Sequence, residues 1–262
     1  MAGTMAATAA RRPESAVKAK VPAAENTLRI LKLLASRRGP MAASNIATAL
    51  GLPRSSVYHL LGVMEANGFV LHLHEEQRYG LGISAFELSS AYSRQEPLSR
   101  LGRPMLASLV DVLGESAHLA VLHGRDVLYV VEERAAGRPV LVTDVGVRLP
   151  AHLTASGRAI LADLPSAQVR ALFPSREAFV DRTGVGPRRL SELRTVLTEV
   201  RRVGWAQERG DVTRGFASVA VAVRDHTGFP IAGLAVTFAD GEVPAPLVRA
   251  TQRAAAELSR RV

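Results

Sequence analysis

The chain has 262 residues, 47% of them hydrophobic, with no cysteine and a formal net charge of +9 at pH 7. That length accommodates two domains with proper cores. The lack of cysteine excludes disulfides, thiol nucleophiles and cysteine-ligated zinc, and no run approaches the roughly 20 apolar residues that cross a bilayer, so no membrane partner is expected and a cytoplasmic location fits best.

Residues 1–24 read as a disordered basic arm in which Arg11, Arg12, Lys18 and Lys20 stand against Glu14. Its arginines follow the apolar residues, the reverse of a signal peptide. Residues 1–80 carry ten Lys or Arg against five Asp or Glu, a balance of +5 within the total of +9, which concentrates positive charge where a nucleic-acid partner would use it. A first helix is expected over Glu25–Ser36, with Leu28, Ile30, Leu31, Leu33 and Leu34 as its apolar stripe and Arg37-Arg38-Gly39-Pro40 as its stop.

Ser44–Leu81 then describes a helix, a tight turn, a second helix and a hairpin. Ser44 is placed to cap the first of these helices, and Ile46, Ala47 and Leu50 form its buried face. Gly51 closes it, and Pro53 pre-sets the backbone for the next. In the second helix Val57, Leu60, Leu61 and Met64 recur at helical spacing, leaving Arg54, Ser55, Ser56, Tyr58 and His59 mostly off the apolar face. A polar face that begins at a helix N-terminus suits a recognition helix in a DNA major groove. Asn67-Gly68 ends it. Val70–Leu73 and Arg78–Leu81 read as a two-stranded wing with a polar tip at His74–Gln77, from which Gln77 and Arg78 can reach DNA; Ser44 completes the candidate DNA contacts. His72 and His74 share a strand face near Glu75 and Glu76, but an exposed wing tip lacks the groups that orient metal ligands, and no metal or other cofactor is assigned.

Ile83–Gln95 reads as a linker helix, with Phe86, Leu88 and Tyr92 available for packing, and Pro97 marks the seam. A helix over Leu98–Leu113 opens the second domain. Strands are expected at Ala117–Leu122, Val127–Glu132 and Val140–Thr143, a capped helix from Thr154, and helices at Ser166–Phe173 and Arg188–Val203. Further strands follow at Trp205–Asp211, Phe216–Arg224 and Ile231–Phe238, and a helix over Pro246–Arg261 closes the chain. Strand pairs flanking helices indicate an α+β domain with helices packed on an antiparallel sheet. His118, His123, His152 and His226 stand singly and read as structural, His152 being the best placed of them for a ligand. Glu132 and Glu133 alternate across a strand, and no phosphate loop, nucleophile elbow or His-Glu-x-x-His is present, so an enzyme is not expected.

The motifs GLPRSSVYHLL, RYGLG, LTASGRAILA and GWAQERGDVTRGFASVAVAVRD, in that order, resemble the IclR family of bacterial transcription regulators over nearly the whole chain from Glu25 onward. The resemblance implies a winged helix-turn-helix domain over 25–82, a linker helix over 83–96, and a GAF-like effector-binding and oligomerisation domain over 97–262. It implies a homodimer or dimer of dimers on double-stranded operator DNA with an inverted repeat, and a small carboxylate as effector. Its pocket would be lined by Leu141, His152, Thr154, Ala155, Ser156 and Gly157 on one side and by Glu208, Ser218, Ala235 and Thr237 on the other. Ala235 stands where some members carry serine, which favours a bulkier, aromatic acid, and His59 stands where many carry arginine. The function expected is a ligand-responsive, sequence-specific regulator, a repressor in sense; the alternative is a winged-helix adaptor that binds protein without DNA or effector.

Overall fold

The computed structural model describes residues 21–37, 39–95 and 97–262, without the side chains of 92–95 and 97. The predicted basic arm lies outside the described residues up to position 20. Two compact units meet between Tyr92 and Ser93.

The first unit contains α1 (Pro22–Ala35), α2 (Ala43–Leu50), α3 (Arg54–Ala66), β1 (Val70–Leu73) and β2 (Arg78–Leu81). Helix α1 begins three residues before the expected Glu25, because Pro22 fits a first helical turn, where its missing N–H costs nothing. Ser44 is not the cap of α2: Ala42 holds that position, and Ser44 lies inside the first turn with its carbonyl accepting from the Thr48 hydroxyl. At the other end of α2, Gly51 adopts φ 65°, and the Gly51 and Leu52 amides bond back to the Thr48 and Ala47 carbonyls. That closing motif needs a left-handed residue, which glycine supplies without a Cβ penalty. Val57, Leu61 and Met64 of α3 pack on Ile30, Leu34, Ile46, Val70 and Tyr79 in one core. The wing pairs antiparallel from Val70↔Leu81 to Leu73↔Arg78, and Met41 bridges to Tyr79 on its outer side. Helix α4 (Ile83–Gln95) follows with the predicted bounds. Its Ile83, Phe86 and Leu88 are exposed, and the Tyr92 side chain lies outside the described residues.

The second unit is built on a six-stranded antiparallel sheet in the order β5-β4-β3-β8-β7-β6. The strands are β3 (Ser116–His123), β4 (Asp126–Glu133), β5 (Arg148–Pro150), β6 (Ala206–Arg209), β7 (Phe216–Arg224) and β8 (Pro230–Ala239). Helices α5 (Pro97–Leu113) and α9 (Ala245–Ser259) cover one face; α6 (Ala155–Asp163), α7 (Ser166–Leu172) and α8 (Leu190–Val203) belong to the core on the other. Strand alternation sorts the residues: Val219, Val221, Leu234 and Val236 face α5 and α9, whereas Ala220, Ala222 and Ala235 face α6.

Val140–Thr143, expected as a strand, is a loop, and the third strand is β5. Val140 and Val142 are exposed. Strand preference reflects a fit to a half-buried pleated surface, and here the edge of β4 is already taken by Arg148–Pro150.

The small residues beneath α6 let it lie low on the sheet. A Cβ on Gly233 would stand 2.6 Å from the Ser156 carbonyl oxygen, and one on Gly157 only 2.2 Å from that of Ala151. Gly157→Ala is therefore expected to lower the stability of this unit by roughly 1–3 kcal/mol, read as an earlier urea midpoint with an unchanged slope.

Candidate functional site

In the first unit α3 divides cleanly. Val57, Leu61 and Met64 are buried, while Arg54, Ser55, Tyr58 and His59 are exposed and Ser56 is half-buried. The helix starts directly after Pro53, without a side-chain cap or an acidic residue in its first turn. The opening N–H groups of a helix have no partner within it and form its positive end, so this surface sets unpaired amides beside exposed polar side chains. In the wing Arg78 and Gln77 are both exposed; Gln77 has φ 52°, and its side-chain amide donates to the His74 carbonyl at 2.8 Å. Gln77 thus ties the wing turn together.

The second unit contains a cavity of about 20 Å³ between the N-terminus of α6 and the sheet, closed over by Leu141–Thr143 and Val212–Phe216. Strand register builds its floor. Glu208, Ser218 and Thr237 stand directly opposite one another across β6, β7 and β8, and facing residues on adjacent strands are in contact range. The Ser218 hydroxyl accordingly donates to Glu208 Oε1 at 2.7 Å and lies 2.9 Å from Thr237 Oγ1. Ala235 and His118, also paired, form the next row.

The roof is the start of α6. Thr154 caps it, its hydroxyl accepting from the Gly157 amide at 3.0 Å. Ser156 is 1% exposed and lines the cavity, its hydroxyl lying next to that of Tyr129. Beneath that turn lies a buried ion pair: Arg158 donates to the carbonyls of His152 at 2.9 Å and Gln207 at 2.7 Å, and to Asp211. Asp211 in turn accepts from the Arg209 amide, and its own amide donates to Glu208 Oε2 at 3.2 Å.

Burial pushes the Glu208 carboxyl up to about 7, with Asp211 adding to the rise and the Ser218 hydrogen bond and Arg158 opposing it. Burial likewise drives His118 down to about 3, so its ring is neutral, in contact with the Thr143 hydroxyl. Burial also raises Tyr129. Among the described residues, no basic side chain lines the cavity.

Leu141, Thr154, Ala155, Ser156, Glu208, Ser218, Ala235 and Thr237 converge on this cavity, as the motif placement expects. Two residues of the set do not line it. His152 packs edge-on against Phe173 and Phe179, and its Nε2 faces the Val180 carbonyl at 3.0 Å. Gly157 is spent on the close approach to Ala151. His118 is the histidine that does line it, together with Tyr129, Thr143 and Phe216, none of which sequence reasoning found. Only strand register, not spacing, could have pointed to His118.

A winged helix with a polar exposed face, joined in one chain to a sheet domain enclosing a polar cavity, defines a two-part DNA-binding regulator. The chain belongs to the IclR family of bacterial transcriptional regulators: residues 23–73 match the IclR helix-turn-helix domain and residues 90–260 the bacterial transcriptional regulator IclR C-terminal domain. It is 31% identical over 242 residues to the glycerol operon regulatory protein of Streptomyces coelicolor, covering 90% of this chain and 94% of that one. It is 27% identical to the transcriptional repressor IclR of Escherichia coli over 214 residues, 80% of this chain and 77% of that one. An IclR homologue of Microbacterium hydrocarbonoxydans, solved with 4-hydroxybenzoate, shares the fold with a TM-score of 0.81 at 22% identity, over 91% of this chain and 98% of that one. The protein is a DNA-binding transcriptional regulator. Among the described residues no helix is long and apolar enough to cross a membrane.

Glu208 carries a pH dependence of stability. Its carboxyl in the folded chain lies near 7, above the ordinary 4.5, so the folded state holds the extra proton and loses stability as pH rises through that window. His118 acts in the opposite sense, losing stability as pH falls below 6.5, but it is common to wild type and a Glu208 variant and cancels between them. Relative to Glu208→Gln, the wild type is expected to lose about 2–3 kcal/mol between pH 4.5 and 8, measured by urea unfolding across that range.

Proposed function

We propose that the second unit senses a small organic acid in the cavity under α6, and that a homodimer uses this signal to hold or release an inverted-repeat operator, acting as a repressor. The observation that carries the reading is the convergence of the Ser156, Glu208, Ser218 and Thr237 side chains on one cavity at the N-terminus of α6. A carboxylate there would accept from the Ser156 hydroxyl and take up the Ala155 and Ser156 amides at the positive end of the helix. Glu208, Ser218 and Thr237 face it from the floor and suit a second polar group, while Leu141, Val142, Val212, Phe216 and Ala235 suit an apolar or aromatic body.

About 20 Å³ holds a water molecule, but a neighbouring cavity of about 200 Å³ shares Leu141, Phe216 and Thr237 with it. Outward movement of Leu141 or Phe216 would join the two into a space for an organic acid, and a ligand that binds only that open form shifts the balance toward it. Exposed Ile83, Phe86 and Leu88 on α4 support a subunit contact next to the DNA-binding unit.

Two experiments test this. In a thermal-shift screen of small aliphatic and aromatic carboxylates, 4-hydroxybenzoate included, at least one acid is expected to stabilise the chain, by about 2.7 kcal/mol at a hundredfold excess over Kd. Ser156→Ala and Ser218→Ala should diminish that gain; no shift with any acid, or shifts that both variants keep, would remove the carboxylate reading. In gel shifts with the chain's own upstream DNA, Arg54→Ala is expected to weaken binding. A loss of about 1–3 kcal/mol confined to the matched sequence marks a base contact, a uniform loss with a salt slope lower by about 1 marks a phosphate contact, and unchanged affinity takes Arg54 out of the interface.

A further inference from the structure

The first unit carries a constellation that DNA reading leaves unused. Alternation along β1 puts His72 on the same side as buried Val70, and His74 follows in the wing turn. The last turn of α3 brings up Glu65, the only acidic residue of that helix. One ligand atom from each of Glu65, His72 and His74 lies within 4.8 Å of the other two.

We propose that Glu65, His72 and His74 form a binding site for a divalent transition metal of the zinc class, clasping the wing to the recognition helix. Two imidazole nitrogens and a carboxylate oxygen are borderline ligands that suit zinc, with a fourth tetrahedral position left to water. Glu75 and Glu76, the acids next to the histidines in sequence, are not part of this group; the third ligand comes from a different element, which only the fold brings near.

Two features set this cluster apart from a chance meeting of surface side chains. His72 is stacked flat on Tyr79, its partner across the hairpin, with ring centroids 4.2 Å apart and planes 3° from parallel. That contact fixes the ring as an outer-shell partner fixes a metal ligand. The His72 Nε2 is also buried, with no hydrogen-bond partner among the described residues. The His74 ring centroid lies 4.1 Å from that of His72, its plane at 61°. A cation between their nitrogens and the Glu65 carboxylate would satisfy all three groups. Metal binding here needs only side-chain rotation, because Glu65 and His74 are exposed.

The test uses the untagged full-length chain, stripped of metal by a chelator and titrated with zinc chloride by calorimetry, and with cobalt(II) to read the visible bands of a four-coordinate site. One equivalent is expected. Glu65→Gln and His74→Ala alter exposed side chains and should keep the fold, checked by circular dichroism, while each weakens zinc binding by more than about tenfold. Amide exchange in the wing strands should slow on adding zinc to wild type and stay unchanged in Glu65→Gln. No saturable binding at one equivalent, an affinity that survives both substitutions, or wing exchange that zinc does not slow would overturn the proposal.

Discussion

How closely α6 lies on the sheet decides the rest of the second unit. The helix is buried along Ala155–Ala162, nearly its whole length, so it can sit only where its neighbours are small. Gly233 leaves no space for a Cβ beneath Ser156, and Ala220, Ala222 and Ala235 extend the same flat patch, while Gly157 lets the helix close on Ala151 of the preceding turn. The close approach brings the first turn of α6 down to the level of the β7 and β8 side chains. Ser156, Glu208, Ser218 and Thr237 enclose one cavity for that reason; a helix raised by one methyl group would part the roof from the floor.

The buried Arg158–Asp211 pair fixes the second dimension of the site. Arg158 projects from α6 and reaches the segment that leaves β6, so one guanidinium joins the roof to the end of the floor. Taking two charges out of water is costly and stays tolerable only with good geometry and full hydrogen bonding, and here the arginine has three acceptors. Asp211 thereby holds its backbone amide on Glu208. Glu208 has no cation of its own, which is why burial moves it toward neutral pH.

The first unit obeys shorter-range rules. Apolar spacing in α3, the left-handed Gly51 and Pro53 specify helix, turn and helix without reference to the second unit. The same stripe that makes the core leaves the opposite face polar. The exposed polar face is therefore a by-product of how the helix packs, and its members were legible from spacing alone. What spacing did not show is the left-handed backbone of exposed Gln77 and its side-chain bond to the His74 carbonyl within the wing turn.

By itself the sequence determined the order of the elements, the helix-turn-helix with its wing, the antiparallel strand pairs and, through motif resemblance, most of the residues around the cavity. These are local matters of periodicity, capping and turn chemistry, each written within a few consecutive residues. Tertiary structure decided what depends on pairing between distant segments. It made Val140–Thr143 a covering loop because Arg148–Pro150 occupies the strand edge, turned His152 away among phenylalanines and put His118 in its place, and set Glu65 beside His72 and His74. Register and packing between segments far apart in the chain fix those positions, and a one-residue shift in register would have pointed the same side chains to the opposite face.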